Sequence, residues 1–520
     1  MKHKSILRML TACVLSCTLC CTGMTVPAVS AEETELPACF DWREEAPEII
    51  TPVKAQIGNT CWAYSTIACA EANLIKKGLA DSSLDLSESH LIWFTECQGS
   101  PTDPDDPRYG GGHNEGIEGY RDTGSVKAAV NALAAWQGVI PESDAASHAD
   151  MQPLEESLRY QSIAHLQNSE IYPPDEPQTV KEKLMENGPM ILMYYNSHDD
   201  PISAQHGYYN ADYAERKEQD TLNGMLHDVV IVGWDDSFAK ENFTDQPPAD
   251  GAWMIRDSQS ARIKNENEYF FMSYFEPSIQ MFYRLDFEPV TNYGNVHHYN
   301  GSDLTTLFAS NEKNGMYMAN VFQAEKEETI TAVGFFTNLP SESCQISVYA
   351  LDADFTDPQD GTLIEQFDWC AEYGGFHTVS LPQHFAAGAG QRYSVVIRLP
   401  IGKQYYVYKD SACRKKGVSF YAVYGETKMR EWKDCFDKGY GDVCIHVYTE
   451  YEGEPEDYIP GDLNRDGLVN AADLSLLKQV LSGSTRDDLC LPAADWNGDG
   501  ERNAADARQL LRYLTARPEA

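Results

Sequence analysis

Apolar positions in residues 37–288 follow two different periods. Runs at helical spacing, 61–77, 125–138 and 179–187, alternate with short apolar runs typical of buried strands, which are ILMYY, VVIVGW and AWMIRD. Helices interspersed with short strands are typical of α+β proteins. We therefore predict an α+β domain over 37–288.

The pattern changes over 291–450, where β-branched and aromatic residues dominate. Runs such as ETITAVGFFT and RYSVVIRL are separated by Gly, Pro and Asp, which favour turns. Short strands at this spacing predict an antiparallel β-sandwich. Aromatic residues of these runs are expected in its core: Tyr349, Phe376, Tyr393 and Phe420.

An acidic, Pro-containing stretch over 451–460 is typical of a linker, and a repeat occupies 461–516. A pattern of oxygen-bearing side chains that starts at Asp462 starts again at Asp495, and leucines at helical spacing follow each copy. We predict a small all-α domain for 461–516.

Each copy of the repeat places side-chain oxygens at loop positions 1, 3, 5, 9 and 12, and Gly at position 6. This is the arrangement of a calcium-binding loop. In such a loop the residue at position 7 binds the ion through its backbone carbonyl. We predict two Ca²⁺ ions. The predicted ligands are Asp462, Asn464, Asp466, Leu468, Asn470 and Asp473 in the first loop, and Asp495, Asn497, Asp499, Glu501, Asn503 and Asp506 in the second.

Residues 1–31 have the features of a signal peptide. Basic residues precede an apolar stretch, and Val29-Ser30-Ala31 is a small-residue cleavage pattern. We expect an exported chain that starts at Glu32. Lipid modification of Cys17, in the sequence VLSC, is the alternative.

Composition and charge narrow the range of functions. The 520 residues exceed the about 250 to 300 that one core accommodates, so several domains are expected. Asp and Glu number 80 against 40 Lys and Arg, a net charge of −40 that excludes nucleic acid and anionic lipid as partners. The acidity belongs to solvated surfaces and cation sites, because 42% hydrophobic residues are enough for packed cores.

The candidate chemistry lies in the α+β domain. Cys61 opens the first predicted helix, where the partial positive charge of the helix N-terminus favours the nucleophilic thiolate. Such a thiolate needs a base and a group that orients the base. His227 begins the strand VVIVGW and Asp257 ends AWMIRD, so adjacent strands would bring these two side chains together.

The domain resembles the papain family of cysteine peptidases through words that keep the family's order from about residue 40 to 276. They are DWRE, TPVKAQ, CWAYS, LSESHLIWFTEC, NGPMILM, HDVVIVGWDD, AWMIRDS and EYFFMSYFE. The resemblance implies hydrolysis of peptide bonds in a protein or peptide substrate. It implies Cys61 as the nucleophile, His227 as the base, and Gln56 as an oxyanion donor with the Cys61 backbone N–H. Asp257 stands where the family has Asn.

Two departures from the family pattern leave an alternative open. Asp257 replaces Asn, and Gln259 replaces the Trp that usually follows in the family. An ionised Asp accepts the imidazole N–H and favours imidazolium, whereas a Trp shields that hydrogen bond from water. The alternative is a catalytically inactive papain-like module that binds its target or acts in adhesion.

The repeat resembles a type I dockerin, the module that attaches bacterial enzymes to the cohesin modules of a scaffoldin. The resemblance implies an extracellular, cell-surface complex of the cellulosome type. It also implies contacts to cohesin from the residues before position 12, Ala471, Ala472, Ala504 and Ala505. The region 291–450 resembles a lectin-like domain but shows no carbohydrate-binding motif, so glycan binding stays open.

Overall fold

The computed structural model describes most of the chain outside its first 35 residues. The predicted signal peptide and residues 451–459 of the predicted linker lie outside the described residues. The described ranges are 36–97, 124–146, 153–198, 202–259, 268–299, 301, 304–309, 311, 313–338, 340–402, 406–410, 414–425, 428–429, 431–450, 460–464, 469–481, 489–490, 492–494, 496–497 and 502–516.

The N-terminal part is the predicted α+β domain, with one mixed sheet and a long buried helix. Its helices are α1 (Trp42–Glu45), α2 (Cys61–Lys76), α3 (Glu88–Ile92), α4 (Val126–Ala134), α5 (Pro177–Asn187) and α6 (Tyr213–Glu218). Its strands are β1 (Cys39–Asp41), β2 (Ala164–Tyr172), β3 (Met190–Ser197), β4 (Gly207–Tyr208), β5 (Gly224–Asp235), β6 (Ala252–Arg256), β7 (Tyr269–Ser273) and β8 (Met281–Pro289).

The sheet has the strand order β2-β8-β3-β5-β6-β7-β4, and β1 also pairs with β5. Strand β5 is central, and its antiparallel neighbours are β3 and β6. Helix α2 packs against β5 and β8, and all of its residues except Lys76 are buried. Small residues along α2, such as Ala63 and Ala70, allow this close approach, so the helix that Cys61 begins is fixed within the core.

The middle part is the predicted antiparallel sandwich. One sheet has seven strands, a facing sheet has four and a small sheet has three. Its strands are β9 (Asn295–His297), β10 (Leu304–Ala309), β11 (Asn314–Gln323), β12 (Glu328–Thr337), β13 (Ser343–Leu351), β14 (Gly361–Cys370), β15 (Gly375–Ala387), β16 (Arg392–Leu399), β17 (Tyr406–Asp410), β18 (Ser419–Gly425), β19 (Lys428–Met429), β20 (Lys433–Asp434), β21 (Asp442–Val443) and β22 (Ile445–Thr449).

The sandwich core lies between β11, β13 and β16 on one side and β12, β15 and β22 on the other. Of the four aromatic residues expected in this core, Phe376 and Tyr393 are fully buried. Tyr349 and Phe420 are half-buried, because their strands also face solvent.

An apolar cluster of the peptidase domain, distinct from the sandwich core, extends into the lectin-like region. Phe336, Phe376 and Tyr448 of the sandwich belong to the same buried cluster as residues of α2 and α4. The edge strand β2 also meets the start of β15, where the Ile171 N–H donates to the Gly374 carbonyl at 2.7 Å. Gly375 is required here, since a Cβ atom would lie 2.0 Å from the Ser169 carbonyl oxygen.

The C-terminal part is the predicted small all-α domain. Helices α7 (Ala471–Leu481) and α8 (Ala504–Ala516) contact each other. Leu474, Leu477 and Leu510 lie in their shared core. None of the helices in the described ranges is long and apolar enough to cross a membrane.

Candidate active site

Cys61 lies at the N-terminus of α2, as the sequence predicts. The Thr60 hydroxyl donates to the Ile57 carbonyl at 2.6 Å and does not cap the helix. The first intrahelical bonds run from the N–H groups of Ala63 and Tyr64 to the Thr60 carbonyl. Cys61 is therefore the first residue of the helix, where the partial positive charge of a helix N-terminus favours negative charge on a side chain.

His227 and Asp257 come together through the pairing of two neighbouring strands. Val230 of β5 pairs with Arg256 of β6, which puts Asp257 at the end of β6 beside His227. The distance from His227 Nε2 to Asp257 Oδ1 is 2.9 Å, and both side chains are buried. The Cys61 side chain also hydrogen-bonds to His227, so the imidazole lies between thiol and carboxylate.

The electrostatics of this trio favour the imidazolium form. Burial lowers the pKa of His227, but Asp257 and Cys61 outweigh this effect and hold the pKa well above its usual value of 6.5. Asp257 Oδ1 also accepts the Gln259 N–H at 2.9 Å, which fixes the carboxylate. A Cys–imidazolium–carboxylate arrangement can generate a thiolate nucleophile and afterwards donate a proton.

Tyr194 shields the imidazole on a side that the sequence analysis did not identify. It pairs with His227 across β3 and β5, and the two ring centroids are 5.9 Å apart. Its pKa is raised well above 10 by burial and by Asp257. Gln259, which stands where the family has Trp, is held instead by the Asn196 side chain at 3.3 Å.

Gln56 is buried next to the same strand end. Its Nε2 donates to the Gly58 carbonyl at 3.0 Å, and the Ser258 hydroxyl donates to its Oε1 at 2.9 Å. The Gln56 N–H also donates to the Ser258 carbonyl at 3.1 Å. These contacts direct the amide NH₂ towards the segment before Cys61, with one of its two hydrogens engaged.

Asp228, next to His227, is a second residue that the sequence analysis missed. It is buried, and its Oδ1 has no hydrogen-bond partner within the described ranges. Burial raises its pKa from 3.8 to about 7, although His227 opposes the shift. The signal in the sequence was the charged residue at the second position of the apolar run HDVVIVGW.

Each copy of the repeat in the C-terminal domain contains a buried carboxylate that accepts backbone N–H groups. Asp473 accepts the Asn464 N–H at 3.4 Å through Oδ1 and the Asn470 N–H at 2.9 Å through Oδ2, and its Oδ1 also accepts the Leu463 N–H at 2.9 Å. Asp506 accepts the Asn497 N–H at 3.2 Å through Oδ1 and the Asn503 N–H at 2.8 Å through Oδ2. The bonds from positions 3 and 9 are therefore equivalent in the described parts of the two copies.

These carboxylates fit a cation site. Asp473 and Asp506 are fully buried, and neither contacts a Lys, Arg or His among the residues that the structure describes. An ionised carboxylate away from water needs a positive partner, and hard oxygen donors select Ca²⁺. Other predicted ligands lie outside the described residues: Asp466, Leu468, Asp495, Asp499 and Glu501.

The four alanines predicted to contact cohesin lie in the first turns of α7 and α8. Ala471, Ala472 and Ala504 are exposed, and Ala505 is half-buried. The Ala472 N–H donates to Asn470 Oδ1 at 2.8 Å, and the Ala505 N–H donates to Asn503 Oδ1 at 2.7 Å. Each loop thus fixes a small, smooth surface at the start of its helix.

Comparison with protein families confirms the three resemblances. Residues 36–275 match the family described as papain family cysteine protease, 298–449 match a lectin like domain, and 460–515 match a dockerin type I domain. The chain therefore contains a papain-family cysteine protease domain, a lectin-like domain and a type I dockerin domain.

Cathepsin 7 of Mus musculus is 25% identical over 244 residues, which are 46% of this chain and 62% of cathepsin 7. The chain thus spans about three fifths of the length of this curated relative.

Solved structures share the fold of the first two domains. The clostridial cysteine protease Cwp84 after propeptide cleavage has a TM-score of 0.60 at 19% identity, over 78% of this chain and 97% of that one. The cysteine protease and lectin-like domains of Cwp84, a surface layer associated protein of Clostridium difficile, have a TM-score of 0.60 at 17% identity, over 80% and 90%. A papain-like domain followed by a lectin-like domain is thus the architecture that this chain shares with Cwp84.

Proposed function

We propose that this chain, with its papain-family, lectin-like and type I dockerin domains, is an exported cysteine endopeptidase that its dockerin attaches to a cohesin-bearing scaffold. The observation that carries the proposal is the contact of Cys61 with a buried His227 whose Nε2 lies 2.9 Å from Asp257. The proposed segments are 1–31 (signal peptide), 37–288 (peptidase), 291–450 (lectin-like domain), 451–460 (linker) and 461–516 (dockerin).

In the proposed mechanism the Cys61 thiolate attacks the carbonyl carbon of the scissile peptide bond. The Cys61 N–H and the second amide hydrogen of Gln56 stabilise the negative charge that develops on the carbonyl oxygen. The tetrahedral intermediate collapses as His227 donates its proton to the departing amine, which breaks the C–N bond and leaves a thioester.

Deacylation reverses these roles. Neutral His227 takes a proton from water, and the hydroxide attacks the thioester carbon. The C–S bond then breaks, which releases the carboxylic acid product and restores the thiolate–imidazolium pair. Asp257 holds the imidazole through Nε2 and stabilises its positive charge in both half-reactions.

Hydrolysis of a protein substrate by the purified full-length chain tests this proposal. Cys61→Ala should abolish thiol-dependent cleavage. Cys69→Ala should keep it, because Cys69 lies further along the same helix and burial raises its thiol pKa far above the usual value. Equal cleavage by both variants, or none by the wild type, would favour the inactive binding module.

We propose that the dockerin binds two Ca²⁺ ions, one in each repeat loop, and presents its alanines to cohesin. The equivalent buried carboxylates of Asp473 and Asp506 support this proposal. Bound Ca²⁺ supplies the positive charge that these carboxylates need and so fixes the first turns of α7 and α8.

Binding of the full-length chain to a panel of type I cohesins tests the attachment. We expect tight binding in calcium that a chelator abolishes. Ala472→Arg combined with Ala505→Arg should also abolish it, whereas the same change at Gln366, which is exposed on the lectin-like domain, should have no effect. Cohesin binding that survives chelation would refute this attachment.

A further inference from the structure

A cavity of about 970 Å³ lies between the peptidase domain and the lectin-like domain. The peptidase wall contains Trp136 and Tyr160. The opposite wall is formed by 295–299, 321–323, Glu325, Phe355, Arg392 and 415–418. None of its lining residues belongs to the Cys61 site. Its volume is at the upper end of the about 300 to 1,000 Å³ of small-molecule sites, enough for a few sugar rings.

Two cations, Arg392 and Lys415, line this cavity. Within the described part of the chain no carboxylate oxygen lies within ion-pair distance of Arg392 or Lys415, although acidic residues outnumber basic ones 80 to 40. Lys416 also lines the cavity and pairs with Asp437 at 3.1 Å, and Glu325 is an acidic residue of the lining. Unpaired cations concentrated in a cavity of an acidic protein attract an anionic ligand.

Both cations lie next to aromatic rings. The guanidinium carbon of Arg392 lies 5.5 Å from the Phe355 ring centre, and its Nε donates to Gln323 Oε1 at 3.4 Å. Among the described residues, the terminal guanidinium nitrogens of Arg392 have no hydrogen-bond acceptor. Lys415 Nζ lies 5.9 Å from the ring centre of Tyr299. The terminal nitrogens of Arg392 form a planar fork that matches a carboxylate.

Trp136 lines the peptidase wall of the cavity, and its backbone conformation is strained. Its φ is 61°, unusual for a bulky residue, and its ring stacks on His165 at 3.7 Å between centroids. Its Nε1 is buried and has no hydrogen-bond partner among the described residues. Tyr160 on the same wall is 55% exposed. Strain and unmet hydrogen bonding at a cavity wall mark a functional position.

We propose that this cavity binds an acidic oligosaccharide, a short chain of pyranose rings that carry carboxylates. The aromatic rings cover the apolar C–H faces of the sugars, and Arg392 and Lys415 bind the carboxylates. The side chains of Asn295, Gln323 and His298 also line the cavity, and their amide and imidazole groups suit the hydroxyl groups at the ring edges. The site holds the enzyme on a uronate-containing glycan, and it does not depend on peptidase activity.

Calorimetric titration of the full-length chain with oligogalacturonate tests the proposal, with the fully methyl-esterified oligosaccharide as the neutral match. We expect the acid to bind, and we expect the affinity of the ester to be lower by about tenfold or more. Arg392→Gln combined with Lys415→Gln, and separately Tyr160→Ala, should each weaken binding by about tenfold or more. Lys438→Gln, a surface change on the same domain, should not alter it.

All variants are checked by thermal melting and by peptidase activity, both of which should stay at the wild-type level because the changed side chains are exposed. Wild-type affinity in the double variant would overturn the site. Equal binding of acid and ester would overturn the role of the cations. Binding of poly-glutamate or polyglycerol phosphate without binding of oligogalacturonate would overturn the sugar acid as ligand.

Discussion

At the residue scale, the candidate site differs from the papain family at Asp257, a carboxylate where the family has the amide of Asn. The sequence predicts that Asp257 and His227 meet, and a hydrogen bond of 2.9 Å joins them. Tyr194 and Ser258 were not predictable, because their positions depend on the register between β3 and β5 and on a contact across more than 200 residues. Sequence patterns specify which residues belong to one face, but not which side chains meet across strands.

Asp257→Asn tests the role of that carboxylate. The raised pKa of His227 means that imidazolium persists above the usual value of 6.5 and is lost as the pH rises through the higher value. A neutral Asn removes the attraction between the carboxylate and the imidazolium of His227. The basic limb of the kcat/KM profile should therefore move to lower pH by about one unit or more. Activity at the optimum should stay within about tenfold of wild type.

The pH profile of peptide hydrolysis measures this shift, with Asp245→Asn, an exposed carboxylate, as the control. Complete loss of activity in Asp257→Asn would mean that a different residue orients His227.

Asp228→Asn tests the buried acid next to His227. Because folding raises the pKa of Asp228 from 3.8 to about 7, the folded state holds a proton that the unfolded state releases. The contribution of protonated Asp228 to the free energy of unfolding is fully present below about pH 4. It is lost as the pH rises towards 7, at up to about 1.4 kcal/mol per pH unit. The variant should therefore be more stable than wild type at pH 8 and gain little at pH 4.

Urea denaturation at the two pH values measures the difference, again against Asp245→Asn. The same pH dependence of stability in Asp228→Asn and in wild type would show that Asp228 is ionised in the folded protein.

At the scale of elements, strands were more predictable than helix ends. ETITAVGFFT and RYSVVIRL coincide with β12 and β16 because turn residues bound them on both sides. The helix predicted over 125–138 ends at Ala134, since Trp136 takes a positive φ and places its ring in the cavity wall. A tertiary contact thus overrides a local apolar pattern.

The two repeat loops predict a stoichiometry. Titration of the full-length chain with Ca²⁺ should give two ions per chain, because the sequence repeats the ligand pattern and both copies hold an equivalent buried carboxylate. Asp473→Asn and Asp506→Asn should each remove one ion, and the double variant should bind none. Asp144→Asn, an exposed carboxylate, is the control. Two ions in the double variant would place the calcium sites elsewhere.

At the scale of the whole molecule, the peptidase and lectin-like domains are joined by an apolar cluster to which both contribute. Composition predicts both domains but not their contact, which joins residues more than 200 apart, such as Ser169 and Phe376. The sequence therefore indicated separate modules, whereas the apolar cluster of α2 and α4 extends into the sandwich through Phe336, Phe376 and Tyr448.

Phe376→Ala tests whether the two domains unfold together. The loss of a fully buried ring should destabilise both domains together by about 3 to 5 kcal/mol, within a single calorimetric transition. Phe436→Ala removes a ring that is 44% exposed in the same domain and should change stability little. Two separate transitions, with only that of the lectin-like domain at lower temperature, would show that the two domains unfold independently.

Covalent labelling shows whether Cys61 is an activated nucleophile. The folded, calcium-loaded protein is treated with an epoxide selective for papain-like thiolates, and the modified peptide is mapped by mass spectrometry. We expect labelling of Cys61 and none of Cys39, an exposed thiol whose pKa is raised by partial burial and by nearby Asp235. Cys61→Ala should abolish the signal. An unlabelled Cys61 in the folded protein, or equal labelling of Cys39, would mean that Cys61 is not an activated thiolate.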